Sequence, residues 1–197
     1  LGKRLKKKTL NKAKVLIDIA GKPFISRQLN YLSNQGIKDI VICTAHLGNQ
    51  IKDYVGDGSK YNLKVLYSDD GDKLLGTGGS IKKASRILGE NFFILYGDSF
   101  LPIDFSLIEK AYFQEAKPAL MTVLKNQNNW DKSNAYFKNK CVKYNKKKPQ
   151  KNWQKSQKIA EIWPKKKSTF FSKFCILCLL YANHAKFFMT YIQPQSV

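Results

Sequence analysis

The stretch Leu74–Asp98, "LLGTGGSIKKASRILGENFFILYGD", contains the signals of a loop, a helix and a strand in succession. Three glycines within four positions mark the loop. The apolar residues Ile81, Ala84 and Leu88 then recur on one face of a helix, and a fully apolar run follows that ends abruptly at Asp98. This succession predicts a helix that leads into a buried strand of a parallel sheet.

The same alternation extends over most of the chain. Strands are predicted at "KVLIDI" (14–19), "DIVICTA" (39–45) and "LKVLYS" (63–68), and later at "ALMTVLK" (119–125), "NAYFK" (134–138) and "CVKYN" (141–145). Helices are predicted at "PFISRQLNYLSNQG" (23–36), "HLGNQIKDYVG" (46–56) and "DFSLIEKAYFQEA" (104–116). Strands that alternate with helices of about 10 to 15 residues indicate an α/β fold with a mostly parallel sheet covered on both faces.

The helix predicted at 104–116 has a defined start and one apolar stripe. Asp104 is the predicted N-cap residue, because its carboxylate can accept a hydrogen bond from the first turn. The residues predicted to be buried are Leu107, Ile108, Ala111 and Tyr112. The stripe predicts that this helix packs on one face of the sheet.

Chemically unusual residues follow three of the predicted strands. They lie in "TAH" (44–46), "DDGDKLLGTGG" (69–79) and "GDS" (97–99). In parallel sheets ligands bind outside the carboxyl ends of the strands. The functional site is therefore predicted where these three loops meet.

The glycine-rich segment "LLGTGGS" (74–80) has two interpretations. Its glycines leave backbone N–H groups uncovered, and the helix that follows adds its positive N-terminal end, which suits an anionic or planar ligand. It is not a Walker A loop, because the pattern GxxxxGK[ST] is absent. The alternative, a flexible turn with glycine at a helix start, is equally compatible with the spacing.

Asp98 is the candidate metal ligand. A carboxylate directly after a buried strand is held at the edge of the sheet, and Gly97 leaves room beside it. Magnesium typically takes one or two such carboxylates and completes its shell with water and substrate phosphate. The alternative is that Asp98 only stabilises a turn or caps a helix.

The opening segment, "LGKRLKKKTLNKAK" (1–14), contains six lysines and one arginine. Arg4 and Lys14 can act as charge-assisted donors to a triphosphate. The run Lys6–Lys8 is interpreted as a solvated basic surface.

The formal net charge of +21 is unevenly distributed. Residues 1–131 carry a net charge of +7, whereas residues 132–197 carry +14 and a single acid, Glu161. Such a field attracts polyanions, but the first segment has the charge of an ordinary domain, so no nucleic-acid partner is expected. We place a domain boundary at residue 149 and expect residues 150–197 to lie outside the domain fold.

Cysteine and histidine counts exclude several kinds of site. Four irregularly spaced cysteines do not form a disulfide framework, which favours a cytoplasmic setting. No apolar run approaches the roughly 20 residues that span a bilayer, so no membrane span is predicted. With His46 and His184 as the only histidines, the inventory favours positioning and electrostatics over a catalytic triad.

Four ordered segments resemble the sugar-1-phosphate nucleotidyltransferases. Residues 1–25, "LGKRLKKKTLNKAKVLIDIAGKPFI", resemble the opening signature GGxGTRLxPLT, PKPL and GKPxI of that family. "LLGTGGSIKKA" (74–84) resembles its LGTGGA loop and "LYGDSF" (95–100) its LNGD segment. "DKSNAYFKNKCVKYNKKKP" (131–149) is similar to the stretch that follows in relatives acting on mannose- or heptose-type phosphates.

The resemblance implies a Rossmann-like, three-layer α/β/α fold. It also implies a Mg²⁺-dependent reaction in which an NTP, with GTP favoured, and a sugar 1-phosphate give an NDP-sugar and pyrophosphate. By this resemblance Arg4 and Lys14 are catalytic, Asp98 binds the metal and Lys147 binds the sugar phosphate. The nucleotide-binding residues it implies are Gly2, Gly76, Thr77, Gly78 and Gly79.

The sequence departs from the family pattern at both ends. The family's first strand and two leading glycines would precede Leu1, and Lys3 and Lys7 stand where threonine and proline are expected. We therefore expect a sheet that is incomplete at both ends and a chain that is an inactive remnant. We hypothesise that residues 150–197 are read out of frame or are otherwise foreign, the alternative being a basic tail for an anionic membrane or nucleic acid. A nucleic-acid-binding protein and a non-catalytic NTP-binding module remain alternative functions.

Overall fold

A computed structural model describes residues 11–115 and 119–123. It also describes the backbone of four further strands, at 135–138, 141–144, 173–177 and 190–192. Within this part of the chain, no helix has the length and apolar character needed to cross a membrane.

Helices and strands alternate along the described chain. The α-helices are α1 (Phe24–Asn34), α2 (Gly48–Val55), α3 (Gly76–Ala84) and α4 (Phe105–Glu115). The strands are β1 (Asp18–Ile19), β2 (Lys22–Pro23), β3 (Asp39–Thr44), β4 (Lys64–Asp69), β5 (Phe92–Tyr96), β6 (Ala119–Met121), β7 (Ala135–Lys138), β8 (Cys141–Tyr144), β9 (Lys173–Leu177) and β10 (Thr190–Ile192).

The main sheet has six strands in the order β4-β3-β9-β5-β10-β6. β3, β4, β5 and β9 are mutually parallel, and β10 is antiparallel to both of its neighbours. β1 pairs with β2, and β7 with β8, in two small antiparallel pairs. A mostly parallel sheet, as predicted, is confirmed.

Side chains of β3 alternate between two apolar clusters, one on each face of the sheet. Ile40 and Ile42 join the larger cluster, which includes the buried faces of α1, α2 and α4. Val41 and Cys43 point to the other face and join Ile81 and neighbouring residues of α3. Because successive side chains of a strand point to opposite faces, this alternation builds the predicted α/β/α layers.

Two segments of the range 150–197, which we expected outside the domain fold, lie in this sheet. β9 pairs along its length with both β3 and β5, and β10 lies between β5 and β6. The tail therefore contributes backbone pairing at these two places. The domain boundary at residue 149 stays a prediction.

The prediction of a strand at 14–19 is wrong for its first half. Residues Lys14–Leu16 form a short 3-10 turn, and the paired strand is limited to Asp18–Ile19. Val15 and Leu16 are consecutive and both buried, at 3% and 7% exposure. The turn packs against α1, and both apolar side chains join the larger cluster there.

The start of α4 is as predicted, but one of its predicted core residues is exposed. The Asp104 carboxylate accepts a hydrogen bond of 2.9 Å from the Ser106 N–H, as an N-cap does. Ile108 and Tyr112 are buried, whereas Leu107 is 62% exposed. Phe105 replaces Leu107 in the core at 2% exposure, because the buried face of α4 begins at its first residue.

Candidate functional site

The three loops predicted to hold the site lie at one edge of the sheet. β3, β4 and β5 run in the same direction, so the segments that follow them emerge at the same edge. Thr44 at the end of β3 stands in register with Asp69 at the end of β4. This edge also receives the start of α3, which follows the loop after β4.

Lys14 and Asp98 form an ion pair at this edge. The Lys14 Nζ lies 2.6 Å from the Asp98 Oδ2, although the two residues are 84 positions apart in the sequence. Their side chains are 24% and 38% exposed, so the pair is open to a ligand on one side. The structure thus brings together the cation and the carboxylate that were singled out separately in the sequence.

The glycine-rich segment is the first turn of α3 rather than a loop before it. The helix begins at Gly76, four residues earlier than the predicted start at Ser80. Gly76 has φ of +73°, a conformation that favours glycine, and it turns the chain into the helix. The N-cap residue Leu75 makes no capping hydrogen bond with its side chain, so the first-turn N–H groups of α3 have no acceptor from the N-cap side chain.

Asp70, which the sequence analysis did not single out, fixes this helix start. The Ser80 Oγ lies 2.6 and 2.8 Å from the two carboxylate oxygens of Asp70 and donates its one proton to them, and the Asp70 Oδ2 accepts a hydrogen bond of 3.0 Å from the Leu75 N–H. Asp70 and Ser80 are 6% and 1% exposed. A buried carboxylate this well satisfied holds the loop after β4 against α3. The doublet "DD" at 69–70 was the only sequence signal for it.

Tyr96, the last residue of β5, interacts electrostatically with groups on both sides of this edge. Burial raises the pKa of its phenol, a hydrogen bond with Thr77 lowers it, and the Asp98 carboxylate raises it further. In the sequence this residue was marked only as the end of a strand.

The sequence-predicted residues Gly2, Arg4 and Lys147 lie outside the described residues. Among the side chains that are described, no group of three or more carboxylate, imidazole or thiol ligands converges. Asp98, the carboxylate singled out in the sequence as a metal ligand, lies at this edge beside Lys14.

Comparison with known proteins gives a family. The family model for nucleotidyl transferases matches residues 1–136. N-acetylmuramate alpha-1-phosphate uridylyltransferase of Neisseria meningitidis serogroup B is 40% identical over 116 residues, which are 58% of this chain and 48% of the relative. D-glycero-alpha-D-manno-heptose 1-phosphate guanylyltransferase of Campylobacter jejuni is 34% identical over 132 residues, 67% of this chain and 57% of the relative. The chain spans about half the length of these curated relatives.

Solved structures agree with the fold. HddC from Yersinia pseudotuberculosis matches with a TM-score of 0.51 and 30% identity over 55% of this chain and 48% of that protein. A Bacillus anthracis protein assigned as a glucose-1-phosphate thymidylyltransferase matches with a TM-score of 0.54 and 22% identity, over 61% of this chain and 49% of that one. The second likeness bears on the fold alone.

Proposed function

Because the chain belongs to the nucleotidyl transferase family, we propose that it carries the nucleotide-binding part of an enzyme that joins an NTP to a sugar 1-phosphate. The products are an NDP-sugar and pyrophosphate. The names of the relatives, which act on muramate and heptose 1-phosphates, support this substrate class. The observation that carries the proposal is the Lys14–Asp98 pair beside the start of α3.

The two charges of the pair suit different parts of one ligand. The Lys14 ammonium can donate hydrogen bonds to phosphate oxygens, and strong, charge-assisted bonds of this kind fix a triphosphate in place. The uncapped first turn of α3 presents backbone N–H groups and a positive helix end on the same edge. A ligand with a planar base and a chain of phosphates would contact both Lys14 and the first turn of α3.

The Asp98 carboxylate suits a magnesium ion that arrives with the triphosphate. Mg²⁺ is usually bound by one or two carboxylates plus water and substrate phosphates, and Asp98 alone fits that requirement. When bound, the ion would neutralise phosphate charge and so stabilise the leaving pyrophosphate. Lys14, now held by Asp98, would then be released toward the phosphates.

The chemistry is an in-line displacement at the α-phosphorus of the NTP. An oxygen of the sugar phosphate forms the new P–O bond while the bond to pyrophosphate breaks, and the leaving pyrophosphate takes the electron pair. Lys14 would offset the negative charge that develops on the phosphate oxygens. No covalent protein nucleophile takes part, because the displacement is direct.

The remaining site residues complete this proposal. Gly76, Thr77, Gly78 and Gly79 would contact the nucleotide base and phosphates. Gly2 and Arg4 would lie along the triphosphate, and Lys147 on the sugar phosphate. Guanylyl- and uridylyltransferases both occur among the relatives, so GTP and UTP are the nucleotides we propose, with GTP favoured by the LGTGG form.

Nucleotide binding and turnover test the proposal separately. We expect GTP or UTP with Mg²⁺ to raise the melting temperature of the full chain, since a ligand at a hundred times Kd adds about 2.7 kcal/mol to the free energy of unfolding. Asp98→Asn and Lys14→Met should each abolish most of the shift. The matched controls are Asp53→Asn and Lys38→Met, which change exposed residues away from the site.

Release of pyrophosphate with a panel of sugar 1-phosphates then measures catalysis. If the chain turns over, Asp98→Asn should lower kcat on the order of a hundredfold, as expected for removing a group that organises phosphate charge. Binding without product would assign the chain nucleotide binding alone. If no NTP changes the melting temperature, with or without Mg²⁺, the proposal is wrong.

A further inference from the structure

Two buried or half-buried glutamines hold the backbone on either side of the Lys14–Asp98 pair. Gln28 lies on α1 and Gln50 on α2, and each makes two hydrogen bonds to a segment that carries one member of the pair. We propose that Gln28 and Gln50 are positioning residues that set the distance between Lys14 and Asp98. The catalytic consequence rests on the proposed function above; the geometric one does not.

Gln28 holds the turn that bears Asp98. Tyr96–Ser99 is a tight turn closed by a hydrogen bond of 3.0 Å from the Ser99 N–H to the Tyr96 carbonyl. The Gln28 Nε2 donates to the Tyr96 carbonyl at 3.2 Å and to the Ser99 carbonyl at 2.6 Å. One NH₂ group thus holds both ends of the turn, with Asp98 between them.

Burial and hydrogen bonding limit the side chain of Gln28 to this one arrangement. It is 1% exposed, and its Oε1 accepts no hydrogen bond from the described part of the chain. Its orientation is therefore set by the two bonds from its nitrogen. Neighbouring residues Ile25 and Leu29 of α1 are fully buried, so the helix that carries Gln28 is firmly anchored. A carboxylate at this position would face two carbonyl oxygens with no proton to donate.

Gln50 holds the segment that bears Lys14. Its Oε1 accepts a hydrogen bond of 2.8 Å from the Ala13 N–H, and its Nε2 donates one of 2.9 Å to the Asn11 carbonyl. Ala13 is 2% exposed and its carbonyl accepts the Leu16 N–H that closes the 3-10 turn at Lys14. Next to Gln50, Ile51 of α2 is buried in the main core cluster. The backbone that leads into Lys14 is thereby tied to α2.

Helices α1 and α2 pack in the same apolar cluster, so Gln28 and Gln50 are held in fixed positions relative to each other. A lysine side chain has four rotatable bonds, and an ion pair as exposed as this one is weak by itself. Fixing both backbones reduces the conformational freedom that would otherwise separate the two charges. The glutamines therefore act on the pair through the backbone, without touching either charged group.

Chemical labelling of Lys14 in the ligand-free, full-length chain tests this inference. An ammonium held against a carboxylate reacts slowly with an acylating reagent, because the nitrogen must first leave its partner and lose a proton. Gln28→Met and Gln50→Met retain approximate side-chain size and remove the amide. Each should raise Lys14 acylation, measured by mass spectrometry relative to exposed Lys110, on the order of threefold, the change given by one ordinary hydrogen bond.

A double variant separates positioning from general loosening. Asp98→Asn alone should raise Lys14 acylation, and Gln28→Met should add nothing in that background, because the pair is already broken. An additive rise would mean that Gln28 only supports packing, and would overturn the inference. Unchanged Lys14 acylation in folded variants would overturn it as well.

Gln50→Met changes a more exposed position, so it carries the test if Gln28→Met does not fold. The labelling needs no nucleotide. A wild-type chain that binds no NTP but responds as expected would therefore refute the proposed function and retain the positioning role. A wild-type chain that binds NTP, with glutamine variants that leave Lys14 acylation unchanged, would refute the positioning role alone. In a chain that does bind NTP, both glutamine variants should also raise the Mg²⁺ concentration needed for half-maximal binding.

Discussion

Asp69 lies at the carboxyl end of β4 and collects donors from three separate segments. Its carboxylate accepts hydrogen bonds of 2.8 Å from the Thr44 hydroxyl, 3.0 Å from the Lys52 ammonium and 2.8 Å from the Gly71 N–H. Burial by itself would raise the pKa of Asp69. The three donors outweigh burial and leave the pKa below its ordinary value of 3.8.

This depressed pKa predicts a pH dependence of stability. A carboxyl group whose pKa is lowered by folding stabilises the protein above its unfolded pKa and loses that contribution as pH falls through the folded value. The difference in denaturation midpoint between wild type and Asp69→Asn should therefore be constant from about pH 5 to 7 and shrink below about pH 4. Urea titrations at a series of pH values measure it.

Thr44→Val provides the companion measurement, because it removes one of the three donors from a residue that is 0% exposed. In this variant we expect a smaller acid loss of stability than in wild type, because losing this donor moves the folded pKa of Asp69 closer to its unfolded value. If the difference in denaturation midpoint between wild type and Asp69→Asn stays the same down to pH 3, the lowered pKa of Asp69 is contradicted.

At the scale of elements, the start of α3 depends on small residues as well as on Asp70. A Cβ placed on Gly79 would lie 2.7 Å from the Leu75 Cβ, closer than carbon atoms pack. Gly79 thus permits the chain before α3 to approach the helix closely.

Gly79→Ala is therefore expected to destabilise the protein, although alanine favours helices. The clash should cost more than the helix propensity gains, leaving a net loss of about 1 to 2 kcal/mol in the free energy of unfolding. Lys82→Ala, on the exposed side of the same helix, is the matched control and should be close to neutral. Chemical denaturation measures the stability of both variants. A stabilised Gly79→Ala variant would show that Leu75 moves away from the added methyl group without a loss of stability.

At the scale of the whole molecule, β9 belongs to the basic segment 150–197 and lies inside the main sheet. β9 lies between β3 and β5 and pairs with both, so it joins the two halves of the parallel sheet. Charge and resemblance predicted that this region lies apart from the domain. The sequence of a short apolar strand inside a strongly basic segment does not indicate which other strands it will pair with.

Cys175→Pro tests the place of β9 in the sheet. Proline has no N–H, so a central strand loses a ladder hydrogen bond, at a cost of about 1 to 3 kcal/mol. Cys175→Val keeps the N–H and serves as the control. We expect the denaturation midpoint to fall for proline and not for valine. Equal midpoints for both variants would instead support a domain that ends at residue 149.

Local patterns predicted most of the fold. The alternation of apolar runs with helical periods predicted β3, β4, β5 and the four helices, because burial on a sheet or a helix face imposes a period on the sequence. The 3-10 turn at Lys14–Leu16 was missed, since a buried apolar turn and a short strand have the same composition. The exposure of Leu107 was missed because a helix of 11 residues offers more than one apolar face.

The sequence by itself determined the family and predicted the kind of site: a lysine, an aspartate after a buried strand and a glycine-rich helix start. Only the tertiary structure decided which side chains meet. The contact between Lys14 and Asp98, the amide contacts of Gln28 and Gln50, and the pairing of β9 all join segments far apart in the chain. Local periodicity reports the burial of each element, whereas contacts between distant elements depend on how all of them pack together.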